Sequence, residues 1–205
     1  NSQLCISFNY FICILISFYN TLVNEIKLFI FYPTISMDYQ ALSLPELNKI
    51  SHHSFATLYQ NKNTGEKSLH AAIDIKSGSV FGTFEASEVL DTPNKYTVQI
   101  NDDTHIILNP EVLQYINHSC NPNVFFNTST FELSALCDIS KGDELTFFYP
   151  STEWNMESPF NCFCGEANCL HKIQGALFLS PETISQYKLT EFILQKLNIS
   201  HLQIV

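Results

Sequence analysis

Hydrophobic and polar positions form short, strand-like runs through the middle of the chain, beginning near Ser54. Three runs separated by the turn sequences NKNTGEK and KSG predict strands: FATLYQ, HAAIDI and SVFGTFEA. Further strands are predicted in KYTVQI, in THIIL, in two parts of NVFFNTSTFELSALCDI, and in KGDELTFFY. No run sustains a helical period, and strands do not alternate with helices as in a Rossmann-type fold. The pattern therefore predicts a compact, mainly β body.

The pattern changes near residue 180, where the polar spacing becomes helical. Ser180 is a good N-cap residue, Pro181 suits the first turn of a helix, and Glu182 is an early acidic residue. A helix is therefore expected to begin there and to continue, with a break near Leu189, to about Asn198. These features predict a helical C-terminal tail over residues 180–205.

Residues 1–36 differ in composition from the rest of the chain and contain no glycine. Their purest apolar run, of about 16 residues, is shorter than the ~20 that a membrane-spanning helix needs. A basic region and a small-residue cleavage site, which are typical of a signal peptide, are both unclear. We expect Met37 to be the true start and residues 1–36 to be an upstream leader. A membrane anchor and a packed extension are the alternatives, and membrane association is expected only for the anchor.

The composition is that of one globular domain with appendages, since 45% of the 205 residues are hydrophobic and 15% are charged. The net charge is −10, and nothing in the sequence resembles a basic footprint. Direct binding of nucleic acid is therefore not expected. An acidic surface favours basic partners, including lysine-rich peptides.

The cysteines indicate metal binding in a reducing compartment, either nuclear or cytoplasmic. Their number is seven, which is odd, and their uneven spacing does not fit a secreted disulfide framework. The sequence CFCGEANC places Cys162, Cys164 and Cys169 in one short loop, where three thiolates can converge on a zinc ion. A closed structural site needs a fourth ligand. The candidates are Cys120, Cys137 and His171.

A second polar cluster, YINHSCNPNVFF, lies between apolar residues. Its side chains suit a nucleophile, a set of metal ligands, a cofactor contact or a polar turn between two strands. Three segments in this order, YINHSCNPNV, DISKGDELTFFY and CFCGEANCLHKIQG, together resemble a SET-domain protein-lysine methyltransferase with a post-SET zinc motif. The resemblance extends from about Ser54 to Gly175, and the order of the segments is more specific than any one of them.

The resemblance implies a SET-type β fold with a pseudoknot, in which a C-terminal segment threads under a loop. It implies a SET domain over residues 52–150 and a post-SET zinc loop over residues 158–175. S-adenosylmethionine is implied as the methyl donor and zinc as a structural ion. The implied partner is a lysine-bearing protein or peptide, such as a histone tail in chromatin.

The resemblance also implies roles for individual residues. Tyr149 matches the catalytic tyrosine, and Phe147 matches the position that sets the number of methyl groups, with phenylalanine favouring di- or trimethylation. Cys120 matches the fourth zinc ligand. The residues that match cofactor contacts are Asn117, His118, Lys67, Ser68, Leu69, His70 and Phe163. Phe147 and Trp154 are candidates for walls of the substrate channel, although ordinary core packing explains Trp154 equally well.

The chemistry of methyl transfer fits these roles. The attacking amine must be neutral, although the reference pKa of lysine is about 10.4, so a dry aromatic channel helps by disfavouring the ammonium form. Most of the catalysis is positioning of the amine in line with the bond from sulfur to methyl. The hydroxyl of Tyr149 can hold the amine and direct its oxygen at the methyl group.

The sequence departs from the family pattern at several positions. Glu66 and Ser68 occupy the glycine positions of the cofactor segment, with Gly65 displaced by one residue. Phe148 replaces an aspartate, and His171 replaces a glycine. These differences motivate an alternative hypothesis, that the chain is a catalytically weak SET module which binds a peptide or protein partner.

Overall fold

The computed structural model describes residues 46–202, and the side chains of residues 46–198. The expected leader over residues 1–36 and the expected start at Met37 lie outside the described residues. The last three residues of the expected tail, 203–205, also lie outside them.

Short strands make up most of the described part of the chain. They are β1 Leu47–His52, β2 Ala56–Asn61, β3 Lys67–Ala71, β4 Val80–Thr83, β5 Glu85–Leu90, β6 Thr97–Asn101, β7 Thr104–Asn109, β8 Asn117–His118, β9 Val124–Asn127, β10 Glu132–Ala135, β11 Thr146–Phe147, β12 Phe160–Asn161 and β13 Lys172–Ile173. The α-helices are α1 Pro181–Ile184 and α2 Glu191–Leu202, and short 3₁₀ helices span Glu111–Tyr115, Tyr149–Ser151 and Ala176–Phe178. The predicted mainly β architecture is confirmed.

The strands form four small sheets with the orders β1-β2-β3, β5-β7-β6, β4-β10-β9-β11-β8 and β12-β13. In the five-stranded sheet, β11 lies between β8 and β9 and is parallel to both. A segment late in the chain is thus inserted between two earlier strands. This non-sequential pairing is the kind that the expected pseudoknot requires.

Several predicted strand boundaries were wrong. The strand predicted over HAAIDI lies earlier, at Lys67–Ala71. The strand predicted over SVFGTFEA is interrupted at the buried Phe84, and its halves, β4 and β5, belong to different sheets. In KGDELTFFY only Thr146–Phe147 is a strand. Strand β1 was not predicted, because most of its residues are exposed and its hydrophobic positions do not alternate.

The main core contains residues of the five-stranded sheet and of both three-stranded sheets, and it includes Phe147 of β11. Phe84, Phe126 and Leu133 are almost completely buried there. The ring of Phe126 packs against Phe147, with 4.5 Å between the ring centroids. The tight packing fixes the position at which the chain leaves β11 and turns at Tyr149.

The C-terminal tail begins and breaks where the sequence predicts. The Ser180 hydroxyl accepts a hydrogen bond from the Thr183 N–H at 3.2 Å, so Ser180 is the N-cap of α1. The break before α2 contains the buried residues Leu189 and Thr190. The Thr190 hydroxyl donates to the Ser151 carbonyl at 2.9 Å. The tail is therefore hydrogen-bonded to the turn that follows β11.

No helix among residues 46–202 is both long enough and apolar enough to span a membrane.

Candidate active site and metal centre

The parallel pairing of β8 and β11 brings Asn117, His118 and Tyr149 together. In the register of these strands, Thr146 is opposite Asn117 and Phe147 is opposite His118. The Tyr149 N–H donates to His118 Nδ1 at 3.4 Å, and the Tyr149 hydroxyl donates to the Ile116 carbonyl at 3.3 Å. The tyrosine is thus fixed at its backbone by β8 and at its hydroxyl by the residue that precedes β8.

Aromatic rings surround the Tyr149 side chain. Its ring centroid lies 4.6 Å from that of Phe147, 5.3 Å from that of His118 and 6.0 Å from that of Phe160. Burial, and to a smaller extent the charge of Glu144, raise the pKa of Tyr149 to about 12. The phenol therefore keeps its proton at neutral pH and acts as a hydrogen-bond donor.

Two cavities meet at Tyr149, which lines both of them. The larger one, which we call the polar cavity, has a volume of about 790 Å³. The smaller one, which we call the narrow cavity, has a volume of about 70 Å³ and is lined by polar residues together with apolar ones that include Leu113, Ile116 and Phe147. Tyr149 therefore stands between a space for a large polar ligand and a space for a thin apolar chain.

Four of the residues predicted to contact a cofactor, Lys67, Asn117, His118 and Phe163, line the polar cavity. The Asn117 side-chain amide donates to the Lys67 carbonyl at 3.1 Å and to the Glu144 carboxylate at 2.8 Å, which joins β8 to β3. Phe163 is 90% exposed, so its ring is available to cover a ligand there. Burial lowers the pKa of His118 to about 4, so its imidazole is neutral at physiological pH.

The other three predicted cofactor residues, Ser68, Leu69 and His70, line neither of these cavities. Leu69 is completely buried in the main core. The Ser68 hydroxyl and His70 Nε2 are hydrogen-bonded to each other at 2.9 Å, and His70 Nδ1 donates to the Gly142 carbonyl. Because side chains alternate along a strand, Ser68 and His70 lie on the face opposite Leu69. Only the first residue of β3 reaches the polar cavity.

The structure brings four cysteines together beside the polar cavity. The sulfur atoms of Cys120, Cys162, Cys164 and Cys169 all lie within 4.8 Å of one another. His171, the nearest alternative ligand in the sequence, has an exposed side chain and lies outside this cluster. Cys137 is not a member of it either. The tertiary structure thus selects Cys120 as the partner of the three loop cysteines.

The chemistry of the cysteine cluster suits a zinc ion. Four thiolates about 2.3 Å from a tetrahedral zinc lie roughly 3.8 Å from one another, which the observed grouping accommodates. Burial raises the pKa of Cys162 to about 11 and also raises the pKa of Cys120. A dication would offset this burial and hold the sulfurs as thiolates. The Leu170 N–H already donates to the Cys120 sulfur at 3.4 Å.

Contacts to the backbone of Cys120 connect the cysteine cluster with the tail. The Cys120 carbonyl accepts hydrogen bonds from the Asn168 amide at 2.6 Å and from the Tyr187 hydroxyl at 2.7 Å. The ring of Tyr187 stacks on Phe148, with centroids 3.7 Å apart. Phe148 is therefore a packing residue.

Trp154, a candidate for the channel wall, lines neither cavity. It packs instead with the tail, in a cluster that contains Leu189 and Ile193. The Lys196 ammonium lies 5.4 Å from the centroid of the Trp154 ring. The reason is that the Trp154 N–H donates to Gln99 Oε1 at 2.9 Å and the Trp154 carbonyl accepts from the Leu177 N–H at 3.0 Å, which holds the backbone with the indole packed against the tail.

The sequence did not point to Glu153, which lines the narrow cavity. The residue that holds its carboxylate, Gln99, lies 54 positions earlier in the chain. The residues next to Glu153 in the sequence do not distinguish it from any other glutamate. Its relevance is apparent only when β6 and the turn at Tyr149 are adjacent.

Comparison with known proteins places the chain in a family. The model of the SET domain family matches residues 29–150. The chain is 37% identical over 148 residues to "Methyltransferase flvH" of Aspergillus flavus, covering 70% of this chain and 82% of that protein. It is 34% identical over 84 residues to "Histone-lysine N-methyltransferase, H3 lysine-36 specific" of Candida albicans, covering 36% of this chain and 10% of that protein.

A solved structure, that of the Neurospora SET domain protein DIM-5, a histone lysine methyltransferase, is also similar. The sequence identity is 20%, the TM-score is 0.36, and the match covers 52% of this chain and 55% of that one.

Proposed function

Because the chain belongs to the SET domain family of methyltransferases, we propose that it transfers methyl groups from S-adenosylmethionine to the side-chain amine of a protein lysine. The observation that carries this proposal is the position of Tyr149 between the polar cavity and the narrow cavity. A methyl donor in one cavity and an amine in the other would meet at the phenol.

The polar cavity is the place for the methyl donor. S-adenosylmethionine supplies a methyl group on a positively charged sulfur. Lys67, Asn117 and His118 line this cavity and would bind the donor, while the exposed Phe163 would cover it. A neutral His118 adds no positive charge next to a cationic ligand. The roles of these four residues are part of the proposal.

The narrow cavity is the place for the substrate side chain. Its apolar walls, which include Leu113, Ile116 and Phe147, favour a neutral alkyl amine over an ammonium ion. The Tyr149 hydroxyl, which stays protonated, would orient that amine. Because Phe147 carries no hydroxyl, it leaves space for more than one methyl group. We therefore propose di- or trimethylation as the products.

A zinc ion is proposed for the cluster of Cys120, Cys162, Cys164 and Cys169, where it would be structural. The four sulfurs leave no position for a catalytic water. Cys120 lies two residues after His118, and Cys162 and Phe163 both belong to the loop beside the polar cavity. The ion would therefore fix the wall of the cavity that binds the methyl donor.

The proposed partner is a lysine-bearing protein or peptide, such as a histone tail in chromatin, and the proposed location is nuclear or cytoplasmic. The net charge of −10 favours such basic partners. The relative from Candida albicans is named as specific for lysine-36 of histone H3. The relative from Aspergillus flavus is named only as a methyltransferase.

Two measurements on the full chain test the proposal. Isothermal titration calorimetry with S-adenosylmethionine should detect binding, and core histones incubated with the tritium-labelled donor should become labelled. Absence of both signals would contradict the proposed function. Binding without transfer to histones or to a cell extract would favour the alternative, a SET module that binds a partner. Glu66, which lines the polar cavity where the family has glycine, motivates that alternative.

A further inference from the structure

Glu153 is held rigidly one turn after Tyr149. Its N–H donates to the Tyr149 carbonyl at 3.1 Å, and its carbonyl accepts from the Ala176 N–H at 2.8 Å. The backbone of the residue is thus fixed from both sides. Any displacement of Glu153 would also move the turn that carries Tyr149.

The carboxylate of Glu153 is oriented through only one of its oxygens. Its Oε1 accepts hydrogen bonds from the Gln99 N–H at 2.9 Å and from the Thr152 hydroxyl at 3.3 Å. The Gln99 side chain also contacts the residue after Glu153, since its Oε1 accepts a hydrogen bond from the Trp154 N–H at 2.9 Å. Among the described residues no donor contacts Oε2 of Glu153. One oxygen of a fixed carboxylate is therefore left for a ligand.

The narrow cavity that Glu153 lines has a mixed wall, in which apolar side chains such as Leu113 and Phe147 lie beside polar ones. The other titratable residues on its wall are Lys95, Tyr96, Tyr149 and Glu157. Burial raises the pKa of Glu153 to about 7, in spite of the two hydrogen bonds that lower it. A carboxylate that is partly shielded from water in this way is stabilised by a cation or by a proton.

The lysine amine of the substrate must lose a proton before it can accept a methyl group. A lysine side chain is an ammonium ion at neutral pH, and its nitrogen has no lone pair until the proton leaves. We propose that Glu153 contacts the substrate ammonium in the narrow cavity and accepts its proton before methyl transfer. This inference rests on the proposed function.

The proposed reaction has two steps, a proton transfer followed by a methyl transfer. One N–H bond of the ammonium breaks, and its proton goes to the Glu153 carboxylate, which becomes a carboxylic acid. The freed lone pair then forms the N–C bond, while the S–CH₃ bond breaks and its electron pair stays on sulfur. The product leaves as a methylated ammonium, and Glu153 loses its proton to solvent before the next cycle.

The kinetic test compares the wild type with Glu153→Gln, which has the same shape but no basic oxygen. The full chain is assayed with S-adenosylmethionine and core histones between pH 6 and pH 9. We expect kcat to fall about 100-fold at pH 7, in the range that general bases contribute, with KM for the donor unchanged. The wild-type rate should show an inflection near pH 7. In Glu153→Gln the rate should instead rise steadily towards pH 9, where the substrate loses its own proton.

Two further variants separate this role from a structural one. Glu153→Asp keeps the carboxylate, so it should be slower than the wild type but should retain the inflection near pH 7. Glu88→Gln, on the exposed strand β5, makes the same chemical change at a residue that lines neither cavity, and it should leave the profile unchanged. An active Glu153→Gln variant with the wild-type pH profile would overturn the proposal.

A measurement without turnover keeps the inference separate from the proposed function. In protein labelled with ¹³C at the glutamate carboxyl, one signal that is absent from Glu153→Gln should titrate near pH 7. Addition of n-butylamine, which mimics a lysine side chain and is an ammonium ion at this pH, should shift that signal and lower its midpoint, because a neighbouring cation favours the ionised carboxylate. A Glu153 signal that is unaffected by the amine would refute the contact, whether or not the wild type methylates histones. An inactive wild type that shows the shift would contradict the proposed function alone.

Discussion

Two side chains one turn apart respond differently to the same kind of burial. Burial raises the pKa of Tyr149 to about 12 and that of Glu153 to about 7. The phenol therefore stays protonated through the physiological range, whereas the carboxyl changes its protonation state within it. Groups with separated pKa values beside one cavity can divide orientation and proton transfer between them.

Tyr149→Phe should abolish methyl transfer and leave binding of the donor largely intact. The substitution keeps the ring packed against Phe147 and removes only the hydroxyl that donates to the Ile116 carbonyl. We expect a loss in kcat of at least about 100-fold, since positioning of the amine carries most of the catalysis. Single-turnover kinetics measures the transfer and calorimetry measures the binding. Unchanged turnover would show that Tyr149 is not the catalytic tyrosine.

Glu153 should make the stability of the protein depend on pH. Its pKa of about 7 in the folded chain exceeds the ~4.3 of an unfolded glutamate, so the folded state binds the extra proton. This contribution is fully present below about pH 4.3 and is lost as the pH rises through 7. Urea unfolding should show the free energy of the wild type falling by about 2–3 kcal/mol, relative to Glu153→Gln, between pH 4.5 and pH 7.5. A difference that does not vary with pH would contradict the raised pKa.

Phe147→Tyr should shorten the series of methylated products. Phe147 lines the narrow cavity and lies 4.6 Å from Tyr149 between ring centroids, so an added hydroxyl would occupy space next to the amine. We expect monomethylated lysine to accumulate at the expense of di- and trimethylated lysine. Mass spectrometry of the product measures the ratio. The same product series in both proteins would refute this role for Phe147.

At the scale of elements, the site depends on short segments that are held by other segments. Strand β11 has two residues and pairs with β8 and β9 on its two sides. The turn that follows it is fixed by Gln99 and by the segment around Gly175. Segments this short have little stability of their own, so contacts with the rest of the fold determine their conformation.

Gly175→Ala tests how closely the segment at residues 153–155 is held. Gly175 has a φ of 119°, and a Cβ atom there would lie 2.5 Å from the Trp154 carbonyl oxygen. The backbone conformation alone costs about 1–3 kcal/mol for a residue other than glycine, and the collision adds to it. Thermal unfolding should show a marked fall in melting temperature and in activity.

The matched control is Gly78→Ala. Gly78 also has a positive φ, of 77°, but a Cβ atom there would meet nothing within 4 Å. It therefore reports the backbone cost without the collision. Equal destabilisation of the two variants would show that the contact with Trp154 does not constrain the segment.

At the scale of the whole described molecule, Cys120 joins three parts of the chain. Its sulfur lies with those of the zinc loop, and its carbonyl accepts from Tyr187 in the tail. The tail is hydrogen-bonded in turn to Ser151 in the turn at Tyr149. The cysteine cluster, the tail and the polar cavity should therefore gain or lose order together.

Cys120→Ser should lower the zinc content and weaken binding of the methyl donor. Loss of one thiolate opens the tetrahedral site, and the metal then no longer holds the loop that carries Cys162 and Phe163 in place. Metal analysis should give less than one zinc per chain, and calorimetry should show at least a tenfold weaker affinity for S-adenosylmethionine.

The control for the metal site is His171→Asn, because asparagine tolerates the positive φ of 60° at this position. The side chain of His171 lies outside the cysteine cluster, so this variant should keep its zinc. Full zinc content in Cys120→Ser together with loss of zinc in His171→Asn would make the histidine the fourth ligand.

Local patterns in the sequence were sufficient for the fold class and for the parts of the site that lie close together in the chain. Ser180 caps a helix as predicted, because capping involves only neighbouring residues. The loop that contains Cys162 and Cys164 was identified from its spacing alone. Strand boundaries were less predictable, since the end of β3 and the interruption at Phe84 depend on pairing with distant segments.

The sequence by itself determined a mainly β chain with a helical tail, a loop of three cysteines and the family resemblance from which Tyr149 is predicted to be catalytic. Only the tertiary structure decided that Cys120 completes the cysteine cluster, that Trp154 faces the tail, and that Glu153 lines the narrow cavity. The physical reason is separation along the chain. Alternation, capping and spacing act over a few residues, whereas these three positions are fixed by partners that only folding brings near.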